Sequence, residues 1–160
     1  MSVAFRRESD EEHKEPKFEL PLPPGPNLVT RRGLALMDAQ VTALEAAIAA
    51  EADETARAVL QRELRYWNTR QTTAIVAPEP DGSEVAFGTS VTFRLNGTTR
   101  TIQIVGSDEA DPAAGRIAFT GPLVKAMMGA EAGDTIDYNG TSDAIEIVGI
   151  ERAPGEDERE

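Results

Sequence analysis

Ser90-Val91-Thr92-Phe93-Arg94-Leu95-Asn96-Gly97-Thr98-Thr99-Arg100-Thr101-Ile102-Gln103-Ile104-Val105 is the stretch on which the fold turns. Apolar and polar residues alternate from Ser90 to Leu95 and again from Arg100 to Val105, the period-2 mark of half-buried strands. Asn96-Gly97 between them favours a two-residue hairpin turn, since both residue types tolerate positive φ. Downstream, Arg116 to Phe119 reads as a short strand. Pro122 to Met128 reads as a short helix that opens on proline and closes at Gly129. Thr135 to Tyr138, the turn Asn139-Gly140 and Ile145 to Ile150 make a last hairpin. Residues 84–150 are therefore expected to form a small antiparallel sheet with one helix laid across it.

Upstream, the Pro- and Gly-rich run Ala77 to Gly82 marks a linker, taken as residues 77–83. Before it the period changes. Leu34, Met37, Val41, Leu44 and Ile48 recur at spacings of 3, 4, 3 and 4, the seam of a coiled coil. Thr30 stands where an N-cap belongs. A second run, Ala56, Leu60, Leu64, Trp67, Gln71 and Ala74, repeats the pattern, with Asp53 placed to cap it. Two similar seams joined by a short break predict an antiparallel helical hairpin over residues 28–76. With no Gly or Pro at the break, one long helix is the alternative. The whole is an α+β chain. Residues 1–27 hold five prolines between Pro16 and Pro26 and read as an extended or disordered leader. A short docking motif is readable within it at Phe18-Glu19-Leu20-Pro21. Residues 151–160 read as a frayed, charged tail.

Composition excludes several kinds of chemistry. The chain has no cysteine, so a disulfide scaffold, a thiolate zinc site and a cysteine nucleophile are out. Its single histidine, His13, sits in the polar leader, away from any folded triad or metal site. No apolar run approaches the ~18 residues of a membrane span, and the first residues lack a signal-peptide core. A cytoplasmic protein with no membrane partner is expected. The net charge of −12 argues against binding free DNA. Residues 28–75 carry six acids and six bases, the only neutral segment of the chain, which draws attention to their arginines.

Asp108, Glu109 and Asp111 place three carboxylates within four residues. Gly106 and Gly115 bracket them, which favours turn chemistry over a Ca²⁺ loop, because no distal Glu follows.

These C-terminal residues carry a family resemblance. Gln103-Ile104-Val105-Gly106-Ser107-Asp108-Glu109-Ala110-Asp111, Gly115-Arg116-Ile117, Gly121-Pro122-Leu123-Val124-Lys125-Ala126-Met127-Met128-Gly129 and Gly133-Asp134 together resemble the C-terminal domain of the GreA/GreB transcription elongation factors. The resemblance runs from about Val85 to Glu151. Val29-Thr30-Arg31-Arg32-Gly33-Leu34 is similar to the start of the family's coiled coil, and Glu63-Leu64-Arg65-Tyr66-Trp67 to the return of its second helix. The resemblance implies an FKBP-like fold for the C-terminal domain and RNA polymerase as partner, reached through its secondary channel. The hairpin tip of such factors holds a Mg²⁺ shared with the polymerase, which then cleaves backtracked RNA.

The family's tip motif, Asp-Leu-Ser-Glu-Asn-Ala-Glu-Tyr, is absent here. Asp53 and Glu54 stand at the corresponding place as tip candidates. Capping of a helix N-terminus explains them equally well. An arm from Thr30 to Ala50 is roughly 30 Å long at 1.5 Å per residue, several turns shorter than the family's. Docking without cleavage is the expectation, with cleavage through Asp53 and Glu54 as the alternative. Pro122 matches a Ser-Pro docking step in which Gly121 replaces the serine. Arg57, Arg62, Arg65 and Arg70 resemble the family's basic patch toward nascent RNA, although a solvated helix face fits them as well. Neither a resident cofactor nor a metal is implied, and a monomer is expected. Two other function classes fit the residues less well. A prolyl isomerase wants an aromatic-lined pocket, and Phe87, Phe93, Phe119 and Tyr138 are widely spaced. A coiled-coil adaptor would pair its seams in trans as a dimer.

Overall fold

The computed structural model describes residues 19–153. His13, Phe18 and most of the leader, like residues 154–160 of the tail, lie outside the described residues. The described residues divide into two units, one holding residues 19–24 and 37–72, the other residues 25–36 and 73–153.

In the first unit, two helices run antiparallel. Helix α1 spans Arg31–Ala50 and α2 spans Glu54–Thr73. Met37, Val41 and Leu44 are buried, and Ile48, Leu60, Leu64 and Trp67 are half-buried, so the two seams are the faces withdrawn from water. The Gln71 amide donates to the Asp38 carboxylate at 2.7 Å, tying the end of α2 beside the beginning of α1. The helix breaks at Glu51-Ala52-Asp53 without glycine or proline. Asp53 ends one helix and caps the next, its carboxylate accepting the Ala56 amide at 2.8 Å. Asp53 N–H in turn donates to the Glu51 carboxylate at 3.1 Å.

Helix α1 overturns one expectation. By length and composition it is apolar enough to cross a membrane. Alanine filler raises its hydropathy, yet its buried residues keep to one stripe, as in a helix packed against a single neighbour.

In the second unit, five strands form a sheet: β3 (Thr89–Leu95), β4 (Thr98–Val105), β5 (Arg116–Ala118), β6 (Thr135–Tyr138) and β7 (Thr141–Arg152), in the order β5-β4-β3-β7-β6. Asn96 and Gly97, at φ 54° and 79°, and Asn139 and Gly140, at 52° and 79°, make the two tight turns. Strand β7 is longer than Ile145 to Ile150, because it pairs with β3 from Thr89↔Arg152 to Leu95↔Ile145, with a bulge at Thr92/Phe93. Alternate residues of the three central strands, Val91, Phe93, Ile102, Ile104, Ile145 and Ile147, fill one face. Helix α3 (Pro122–Met127) closes it with Val124 and Met127.

The sheet is antiparallel except at one edge, where β5 runs parallel to β4, Ile104 opposite Ile117. The chain reverses twice between them. It turns after Val105, then closes a 3-10 turn at Pro112–Ala114 whose flanks, Asp111 and Arg116, bond each other's backbone at 2.8 and 3.1 Å. The direction of a three-residue strand is not readable from its own residues.

A second parallel pair was not anticipated. Leu28–Val29 (β1) lies beside Ile75–Val76 (β2), with Ile75 N–H bonded to the Asn27 carbonyl at 2.9 Å and Ala77 N–H to the Val29 carbonyl at 3.1 Å. Asn27, counted with the leader by composition, is buried and donates its side-chain amide to the Thr73 hydroxyl at 3.1 Å.

Candidate functional site

The hairpin tip carries Glu51, Asp53 and Glu54. One oxygen of Asp53 holds the α2 N-terminus through Ala56, and one oxygen of Glu51 holds the Asp53 amide. The Arg57 guanidinium donates to the Glu51 carbonyl and braces the turn from the α2 side. Glu54 is exposed in the first turn. Two of three tip carboxylates are thus engaged by backbone amides, the capping role. Among the described residues no group of three or more His, Cys, Asp or Glu side chains is arranged to hold a metal ion. The donor set does not fit a self-contained Mg²⁺ site, and no metal-dependent step follows from it.

The four α2 arginines do not share one face. At about 100° per residue, positions 57, 62, 65 and 70 spread over roughly 220° of the helix. Arg70 is buried, at 5% exposure. Arg62 and Arg57 are half-buried. Arg65 is exposed, and its fork grips Glu19 of the leader at 2.7 and 3.0 Å. That bond holds the Glu19 carboxyl below its usual range, with the charges of Arg65 and Arg62 adding to it, and raises the Arg65 guanidinium. The leader thus supplies Arg65 with a carboxylate partner from outside α2.

On the sheet unit, α3 displays a small surface. Gly121 is its N-cap, at φ −69° and ψ 150°, with no side chain to bond the helix. Pro122 follows at the first position and is exposed, as are Lys125 and Met128. Leu123 packs against the core and Met127 is fully buried. Gly129, at φ +85°, ends the helix by donating its N–H to the Val85 carbonyl at 2.9 Å. Pro122 therefore stands exposed on a turn backed by the core residues Val124 and Met127.

The acidic turn after β4 behaves differently from the turn chemistry expected of it. The backbone does turn, with Glu109 N–H on the Gly106 carbonyl at 3.2 Å. The Glu109 side chain, however, is buried and reaches the start of α1, accepting the Thr30 hydroxyl at 2.5 Å and the Arg32 guanidinium at 3.0 Å. Thr30 meanwhile caps α1 by accepting the Gly33 amide at 2.9 Å. The N-cap threonine was legible in the sequence, but nothing local distinguishes Glu109 within its acidic turn, and 79 residues separate the two.

With this geometry in place, comparison with known proteins is informative. Residues 79–152 match the family described as transcription elongation factor, GreA/GreB, C-term. Transcription elongation factor GreA of Allorhizobium ampelinum is 42% identical over 73 residues, covering 43% of this chain and 46% of that protein. GreA of Sinorhizobium medicae is 40% identical over 74 residues, 44% of this chain and 47% of that one. The chain thus aligns with about half the length of these relatives. A solved structure, the prokaryotic transcription elongation factor GreA/GreB from Nitrosomonas europaea, is 16% identical with a TM-score of 0.38, over 80% of this chain and 99% of that one. The matched residues hold the whole sheet, the acidic turn and α3, and it is this part of the chain, residues 79–152, that is similar to the GreA/GreB family.

Proposed function

We propose that this protein is a bacterial RNA polymerase-binding elongation factor of the Gre type, acting in the cytoplasm as a monomer and not an enzyme in its own right. The observation that carries the reading is the GreA/GreB C-terminal domain at residues 79–152, on which Pro122 is exposed at the head of α3. In this reading the α3 turn, Gly121-Pro122, docks at the rim of the secondary channel and the hairpin enters it. Arg57, Arg62 and Arg65 lie on the arm where nascent RNA would pass, with Arg70 withdrawn.

The hairpin modulates elongation by occupying the channel, and stimulates cleavage little or not at all. Each arm has 20 residues, about 30 Å of helix. Direct ligation of Mg²⁺ needs oxygens within about 2.1 Å of the ion. A short arm whose Asp53 and Glu51 already hold backbone amides is poorly equipped for that.

The test is competition on a stalled, backtracked polymerase complex. The protein should displace a long-armed Gre factor and lower cleavage in the mixture. Pro122→Asp should weaken that competition several-fold while leaving the domain folded, since an acid at the first helical position is tolerated. Cleavage raised tenfold by the protein alone, and abolished by Asp53→Ala/Glu54→Ala, would instead assign the catalytic role to those two carboxylates.

A further inference from the structure

Residues 25–36 belong to the same unit as the sheet, and three residues of that segment converge on one carboxylate. The Glu109 side chain is only 5% exposed. Its Oε1 accepts the Thr30 hydroxyl at 2.5 Å and its Oε2 the Arg32 guanidinium at 3.0 Å, both charge-assisted bonds. Thr30 Oγ1 also accepts the Gly33 N–H at 2.9 Å. A hydroxyl has one proton and rotates to suit its partners. By taking that proton, Glu109 leaves an oxygen lone pair aimed at Gly33, so the carboxylate orients the helix cap.

Gly33 completes the argument. A Cβ at that position would lie 2.9 Å from Glu109 Oε1 and 3.4 Å from Thr30 Oγ1. Glycine in the first turn of a helix lowers its propensity, and the space it leaves is the space the carboxylate fills. A buried carboxylate without partners is costly, so Glu109 holds the segment as firmly as the segment holds it.

We propose that Glu109 is a positioning residue, fastening the first turn of α1 to the sheet unit through Thr30 and Arg32, so that the root of the arm is fixed with the α3 docking turn. The fastening stands on these contacts alone; its use in docking rests on the polymerase reading above.

Amide hydrogen exchange on the full chain tests the first part. Glu109→Ala should speed exchange at residues 33–36 tenfold or more, while amides of Phe93 and Ile104 in the sheet stay as slow as in the parent. Thr30→Val, which removes the Gly33 acceptor as well as the bond to Glu109, should do so at least as strongly, and Thr30→Ser should stay near the parent. The double change Thr30→Val/Glu109→Ala should fall short of the two single effects combined, because both remove one shared linkage. Glu109→Gln, which keeps an acceptor for Thr30 but turns an amide toward Arg32, should fall between and serves if Glu109→Ala fails to fold. Unchanged exchange at 33–36 in both Glu109 variants, or acceleration shared equally by the sheet, overturns the fastening. Competition on polymerase tests the second part, with Glu109→Gln expected to bind several-fold more weakly and to recover no strength from added metal. Local exchange accelerated with polymerase affinity unchanged overturns the positioning role. A parent protein that does not bind polymerase overturns the docking reading and with it this role, and the exchange result still judges the fastening.

Discussion

Replacing Gly106 with alanine puts a methyl group in place of a hydrogen, and the structure gives that carbon nowhere to go. A Cβ there would lie 2.3 Å from the Leu28 carbonyl oxygen, 3.4 Å from its carbon and 3.7 Å from Val29 Cα. An ordinary carbon–oxygen contact is about 3.3 Å, so strand β1 or the turn after β4 must retreat by roughly 1 Å. The obstacle is backbone, which cannot swing aside as a side chain end can. Gly106 has no unusual backbone angle to protect, so the effect isolates crowding from strain. Retreat of β1 breaks its two bonds to β2, from Ile75 to Asn27 and from Ala77 to Val29, each worth about 1 kcal/mol net. It also uncovers Val29, now 2% exposed, whose burial is worth about 1.5–3 kcal/mol. With partial relaxation, a loss of roughly 2–4 kcal/mol is expected. Urea unfolding followed by circular dichroism measures the total, and hydrogen exchange locates it, with the Ile75 and Ala77 amides losing protection ahead of the sheet. Stability within about 0.5 kcal/mol of the parent, the range of an indifferent surface change, together with unaltered exchange at those two amides, would show that Gly106 is not the close-approach point assigned to it.

Three further outcomes are expected. Leu44, 5% exposed on the α1 seam, should cost about 2–5 kcal/mol as alanine and more as aspartate; far-ultraviolet circular dichroism should show the arm melting, and unchanged helicity would remove the seam. Asp53→Ala should lower hairpin stability by about 1 kcal/mol through loss of the cap on Ala56, read from thermal melting, whereas Asp53→Ser should stay near the parent. The Glu19 carboxyl, held low first by its bond to Arg65, should titrate below its ordinary value by carbon-detected NMR and return to it in Arg65→Met. Because the folded value is the depressed one, this contact contributes above the ordinary Glu pKa and is lost as pH falls through the lowered value.

Element by element, what was legible was local. The 3/4 spacing from Leu34 to Ile48 assigned the buried stripe of α1, since a helix brings those residues to one side whatever surrounds it. Asn96-Gly97 and Asn139-Gly140 announced their turns because positive φ is a property of the residues themselves. Thr30 and Asp53 were recognisable as caps, each bonding an amide three residues ahead. The break at Glu51-Ala52-Asp53 was harder, because it rests on a side chain outcompeting the helix and no glycine or proline forces it.

Other features needed the tertiary structure. Arg70 looked like its three companions on α2, yet it alone is buried, since its place on the helical circumference sets what covers it. The parallel run of β5 beside β4 depends on how the acidic turn doubles back, and a three-residue strand pairs equally well either way. Glu109 has no local mark to separate it from Asp108 and Asp111. Its role comes from Thr30 and Arg32, brought to it when β1 packs against the backbone of Gly106. By itself, then, the sequence determined the helices, the turns, the caps and the family motif, because each depends on covalent geometry and neighbours within a few residues. The tertiary structure alone decided which charges are buried and what they hold, because burial and pairing depend on distances between residues far apart in the chain, which only packing sets.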